Sequence, residues 1–109
     1  MAKTYLDNNA TAPIRPEVIE IMAQSMAHTG NASSIHGFGR ESRRDVEKAR
    51  KYVADLAGTS PNQVIFTSGA TESNNMIVKH YADQKTLISA VEHPAVRDAN
   101  KNATMIPVT

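Results

Sequence analysis

The sequence predicts an α/β fold with parallel strands, and three observations carry that expectation. Apolar residues recur at helical spacing in two stretches: Val18, Ile19, Met22, Ala23 and Met26, then Val46, Ala49, Val53, Leu56 and Ala57. Short runs rich in β-branched residues, at 64–67, 86–90 and 104–108, read as strands. Helix-like segments separate them, so the helices serve as crossovers between strands lying side by side.

Each element has its own local signal. Residues 1–15 form an extended lead-in, because Tyr5-Leu6-Asp7-Asn8-Asn9-Ala10-Thr11-Ala12-Pro13 is dominated by turn and cap residues. The rest of the chain, 16–109, is expected to be one incomplete domain. Pro16 suits the first helical position, with Glu17 beside it, and Gly30 is the expected stop, with His28 in the last turn. A loop with few charges spans 31–39. The second helix follows, ended by Gly58. Ser60-Pro61-Asn62-Gln63 has the form of a capping box around one turn. The strand Val64-Ile65-Phe66-Thr67 then breaks at Ser68-Gly69 into a helix over about 70–81. Pro94 opens a short helix through Ala99 between the second and third strands. Pro107 suits a strand end or an edge. Three parallel strands make a thin sheet, so the chain reads like the opening of a larger domain.

Composition excludes several classes. The 109 residues are enough for one small domain, and with 40% hydrophobic but only 5% aromatic residues its core is aliphatic. A formal net charge of +1 gives no electrostatic reason to expect nucleic acid or an anionic membrane. Arg40, Arg43, Arg44, Lys48, Arg50 and Lys51 cluster, but Glu41, Asp45 and Glu47 interleave with them, which predicts a solvated, ion-paired helix face. Cysteine is absent, so disulfides, thiolate metal sites and a cysteine nucleophile on this chain are excluded. With no signal-peptide pattern and no membrane-length apolar run, the expectation is a soluble, cytoplasmic protein. The four histidines lack metal-ligand spacing, and no serine lies in a nucleophile elbow.

The most informative segment is Phe66-Thr67-Ser68-Gly69-Ala70-Thr71-Glu72-Ser73-Asn74-Asn75. A strand–turn–helix junction aims unpaired amides and the positive end of a helix dipole at one point, where an anion such as a phosphate can sit. Gly69 allows close approach of a ligand to the backbone, and Thr71 adds a hydroxyl. The same residues are also compatible with an ordinary capped turn, with Ser68 as N-cap and Glu72 complementing the dipole. No Walker or dinucleotide glycine spacing is present to decide between the two. His93 stands just after a strand, at the carboxyl end where ligands gather in open α/β sheets. From the local sequence alone, a loop imidazole bonded to a backbone carbonyl is the favoured reading.

Taken in order, the segments resemble the start of the pyridoxal-phosphate-dependent cysteine desulfurases of the class V aminotransferase group. Tyr5 to Pro13 resembles the family's opening. Gly30-Asn31-Ala32-Ser33-Ser34-Ile35-His36-Gly37-Phe38-Gly39-Arg40 resembles its first long loop, with Ala32 where a proline is usual. Phe66 to Asn74 resembles its cofactor-phosphate turn, and Glu92-His93-Pro94-Ala95-Val96 the segment that stacks on the cofactor. The segment between His93 and Ile106 looks short for the family.

The resemblance implies a partial large domain of fold-type I pyridoxal-phosphate enzymes. It implies that Ala70 and Thr71, beside Gly69, hold the phosphate of pyridoxal 5'-phosphate and that His93 stacks on its ring as a catalytic residue. The implied reaction converts L-cysteine to alanine and enzyme-bound sulfur for iron–sulfur clusters or other products. A sulfur-accepting scaffold protein and a second copy of the chain, or a missing C-terminal portion, are the implied partners. The family also uses a Schiff-base lysine, an aspartate at the pyridine nitrogen and a persulfide cysteine. None of these has a counterpart among the matched motifs here, so this chain alone is expected to be inactive. A stand-alone anion- or cofactor-binding module, or a gene remnant, is the alternative. In the family the first strand lies apart from the other two, with later strands between them, so a gap is expected in the sheet.

Overall fold

The computed structural model describes residues 3–108, and its helices and strands follow the expected order. The contacts gather into two compact units, residues 1–64 and 65–109.

In the first unit the lead-in is turn-rich, as its composition implies. The Ala10 and Thr11 amides donate to the Asp7 carbonyl, and the Tyr5 hydroxyl closes the loop on the Asp7 and Thr11 carbonyls. Helix α1 (Pro16–Met26) starts with Pro16 and carries Glu17 in its first turn. It ends at Met26 with Ala27 as C-cap, so Gly30 is not its stop. Gly30 lies instead against α2 (Gly37–Ala57), where a Cβ would collide with Ser42 Oγ and the Phe38 carbonyl. Its glycine answers a close approach rather than a helix end.

Helix α2 begins inside the segment expected to be loop. The His36 imidazole makes this start possible, because its Nδ1 accepts the Gly39 amide at 3.4 Å. A turn packs on that start: the Ser33 amide donates to Asn31 Oδ1 and the Ser34 amide to the Asn31 carbonyl, each at 2.9 Å. Helix α2 stops where expected, at Gly58, whose φ of 67° and ψ of 34° are left-handed. The charged face is ion-paired, with Glu47–Arg50 at 3.1 Å and Glu41–Arg44 at 3.9 Å. The predicted apolar stripe, by contrast, is uncovered. Ala54 is fully buried, whereas Val46 and Val53 are exposed and Leu56 is 90% exposed. A single 3-10 turn, Pro61–Gln63, carries the capping box, with the Ser60 amide donating to Gln63 Oε1 at 3.2 Å.

The second unit holds a two-stranded parallel sheet. Strands β1 (Leu87–Ser89) and β2 (Thr104–Ile106) pair with Leu87 opposite Thr104 and Ser89 opposite Ile106. Helix α4 (Pro94–Arg97) lies between them in the chain and packs on β1 and on α3 (Ala70–His80). Ile88 and Ala95 are buried, while all of β2 is exposed. Asn100 is also buried; its Oδ1 accepts the Asn102 amide at 2.9 Å, while its Nδ2 meets no acceptor among the described residues.

The α/β class and the parallel pairing stand, and the strand count needs correcting from three to two among the described residues. Residues 64–67 form no ladder, although Val64 is extended at φ −97° and ψ 126°. Propensity makes a segment extended, but a strand also needs a neighbour offering its backbone groups in register. This outcome fits the sheet gap expected from the resemblance.

Candidate functional site

The turn at the start of α3 is held from both sides by short polar side chains. Thr67 Oγ1 donates to the Gly69 carbonyl at 3.2 Å, Ser73 Oγ donates to it at 3.3 Å, and the two hydroxyls lie 2.7 Å apart. Gly69, not Ser68, is the N-cap. The Ser68 amide and Oγ both donate to Glu72 Oε2, at 2.7 and 2.6 Å. These bonds, the side-chain one first, hold the Glu72 carboxyl below the usual carboxylate range. The capped-turn alternative therefore needs amending. Ser68 and Glu72 satisfy each other and leave the helix start itself uncapped.

That start is open. No side chain caps it, and the amides of Ala70, Thr71 and Glu72 meet no protein acceptor among the described residues. The Thr71 hydroxyl likewise has no protein partner there, and Gly69, Ala70, Thr71 and Glu72 are exposed. Gly69 has φ 159° and ψ −179°, a region largely restricted to glycine, and a Cβ on it would meet nothing within 4 Å. The result is a set of adjacent N–H donors, one hydroxyl and a positive dipole end, facing free space. These are hydrogen-bond donors of the kind a phosphate needs, in a chemistry that recurs at helix N-termini.

His93 stands at the corresponding place on α4. It is the N-cap, and its Nδ1 accepts the Ala95 amide at 3.1 Å. The imidazole is thus bonded to backbone, as the loop reading allowed, but through an amide rather than a carbonyl. Its orientation is fixed while the residue stays exposed. With Nδ1 accepting, the proton of the neutral ring is on Nε2.

One side-chain link at this turn was not legible in the sequence. Asn75 Nδ2 donates to the Thr71 carbonyl at 3.0 Å and to the Ala95 carbonyl at 3.2 Å. Both acceptors are carbonyl oxygens, so the amide nitrogen and not its oxygen must face them. A polar residue one turn into the helix was a weak signal, and its second partner lies twenty residues away in sequence.

The aminotransferase class-V family profile matches residues 4–106. The chain belongs to that family. It is 44% identical over 104 residues to an IscS-like cysteine desulfurase of Mycobacterium tuberculosis, covering 87% of this chain and 26% of the relative. It is 46% identical over 101 residues to cysteine desulfurase IscS of Dictyoglomus turgidum, covering 86% and 26%. Among solved structures, a NifS-like protein from Rickettsia africae superposes with a TM-score of 0.83 at 33% identity, over 94% of this chain and 30% of the other. The chain therefore spans about a quarter of the length of the curated relatives it matches. Members of the family use pyridoxal 5'-phosphate. The open amides at 70–72 fit the phosphate end of that cofactor.

Proposed function

We propose that this chain is the cofactor-phosphate-binding part of a cysteine desulfurase. The observation that carries the reading is the uncapped start of α3, where three successive amides and the Thr71 hydroxyl are left without protein acceptors among the described residues. Buried or bound anions need such donors, and charge-assisted hydrogen bonds are the stronger kind. Ala70 and Thr71 hold the phosphate, Gly69 leaves room for it, and His93 lies against the ring. Face contact by a fixed imidazole limits ring motion and keeps the other face free for substrate. The cofactor, when bound, supplies the electron sink that weakens bonds in a bound amino acid.

On this reading the substrate is L-cysteine, converted to alanine with its sulfur passed on for iron–sulfur clusters or related products in the cytoplasm. The sulfur acceptor is a scaffold protein, and the working assembly is a homo-oligomer or a pairing with residues outside these 109. The support for that division of labour is compositional. With no cysteine of its own, this chain cannot carry the sulfur as a persulfide.

The test is a titration of the 109-residue chain with pyridoxal phosphate, followed by absorbance, with sulfide assayed after L-cysteine is added. Saturable binding without sulfide release is expected, with affinity about tenfold lower in Thr71→Ala, the loss of one charge-assisted hydrogen bond. Absent binding, or a Thr71→Ala variant that binds like the wild type, contradicts the phosphate assignment. Sulfide release contradicts the division of labour.

A further inference from the structure

The open helix start and the capped helix α4 are tied to one another through a single side chain. Asn75 sits one turn into α3 and is half-buried. Its Nδ2 reaches the Thr71 carbonyl at 3.0 Å, within the turn whose amides are open. The same nitrogen reaches the Ala95 carbonyl at 3.2 Å. Ala95 is buried, and its amide is the donor received by His93 Nδ1 at 3.1 Å. A continuous line of hydrogen bonds thus runs from the Thr71 backbone through Asn75 and the Ala95 peptide groups to the His93 ring. Two N–H groups on one nitrogen serve both acceptors, so neither bond excludes the other.

We propose that Asn75 is a positioning residue: it fixes the start of α3 against α4 so that the amides of Ala70 and Thr71 and the imidazole of His93 address one and the same ligand. This rests on the phosphate reading above and adds to it the residue that sets the geometry between its two halves. Asn75 touches no ligand itself. It acts by holding Thr71 in place at one end and Ala95, hence His93, at the other. Helix α4 is only four residues long, too short to be rigid on its own account, so an external tether decides where its first turn lies.

A merely structural asparagine, valued for filling space between two helices, is the competing role. Asn75→Leu separates the two, since leucine keeps the bulk and removes both donors. Asn75→Asp keeps the shape and sets a carboxylate against two carbonyl oxygens. The measurement uses the 109-residue chain labelled with 15N, in two parts. The ring nitrogens of His93 are recorded without ligand, and affinity for pyridoxal phosphate is then measured by titration.

The expected result is that both variants shift the His93 ring signals and lower affinity about tenfold, while Thr71→Ala lowers affinity and leaves the ligand-free ring signals in place. Wild-type ring signals and wild-type affinity in Asn75→Leu overturn the proposal. If the wild-type chain takes up no pyridoxal phosphate, the phosphate reading falls and takes the shared-ligand proposal with it. Displaced ring signals in Asn75→Leu then show that the tether itself is real. Should Asn75→Leu fail to fold, Asn75→Ser, which retains one donor, is read in the same way and is expected to fall between wild type and Asn75→Asp.

Discussion

The starts of α2 and α3 come from similar glycine-bearing sequence and differ in side-chain capping and in how crowded their glycines are. At α2 the protein caps the Gly39 amide of its own helix start: His36 receives it, and the Asn31–Ser34 turn packs where a Gly39 side chain would be. At α3 the flanking side chains bond one another and the Gly69 carbonyl, and the amides of residues 70–72 are left exposed. Glycine serves a different purpose at each. Gly39 is small because backbone carbonyls crowd it, and Gly69 is small while the place of its missing Cβ is open among the described residues. A helix start closed by protein is structural. One left uncapped beside an open glycine is where donors to an anionic ligand are to be sought.

The largest effect that can break this contrast comes from Gly39→Val. Its Cβ would run into two backbone carbonyls that cannot rotate away, so a loss of about 3 kcal/mol in stability is expected from thermal or urea unfolding. A variant as stable as the wild type would show that the α2 start is not closed as described. A smaller effect follows from His36→Ala, which removes a cap and is expected to cost about 1 kcal/mol, read as a lower unfolding midpoint. An unchanged midpoint would mean that the 3.4 Å bond contributes nothing to α2.

Acid provides the gentlest perturbation, and it acts on the other start. The folded Glu72 carboxyl ionises more readily than the unfolded one, because Ser68 donates to it twice. Its contribution is therefore complete above the ordinary glutamate range and disappears as pH falls through the depressed folded value. Since the group is exposed, the effect is small. Comparing unfolding midpoints of wild type and Glu72→Gln from neutral pH downward should show the two converging in acid. Parallel curves throughout would remove Glu72 from the account.

How far the sequence revealed all this depends on whether a feature is local. Pro16 and Pro94 mark helix starts and Gly58 a helix stop because φ restriction and left-handed backbone are properties of single residues. The box at Ser60 to Gln63 was legible for the same reason. Gly30 misled because its smallness serves packing against Ser42 and Phe38, twelve and eight residues on, and no local rule anticipates a close approach. Residues 64–67 misled because pairing depends on a neighbour and not on β-branching alone. At the candidate site, the motif pointed to Gly69, Ala70, Thr71 and His93. The tether through Asn75 was hidden because its second acceptor belongs to another helix.

The apolar stripes tell a related story. Ile19, Met22 and Met26 on α1 and Leu56 on α2 have the predicted periodicity but remain exposed, while Ala54, Ile88 and Ala95 are buried. Periodicity states which face wants cover, and supplies none. Burying a side chain such as leucine is worth about 1.5–3 kcal/mol, so these faces are large unused reserves of stability.

The most direct test of the central claim is an amide-resolved titration of the 15N-labelled chain with inorganic phosphate and then with pyridoxal phosphate. The amides of Ala70, Thr71 and Glu72 should shift and saturate, while that of Gly39, already received by His36, stays in place. Unmoved amides at 70–72, or an equal shift at Gly39, would contradict it.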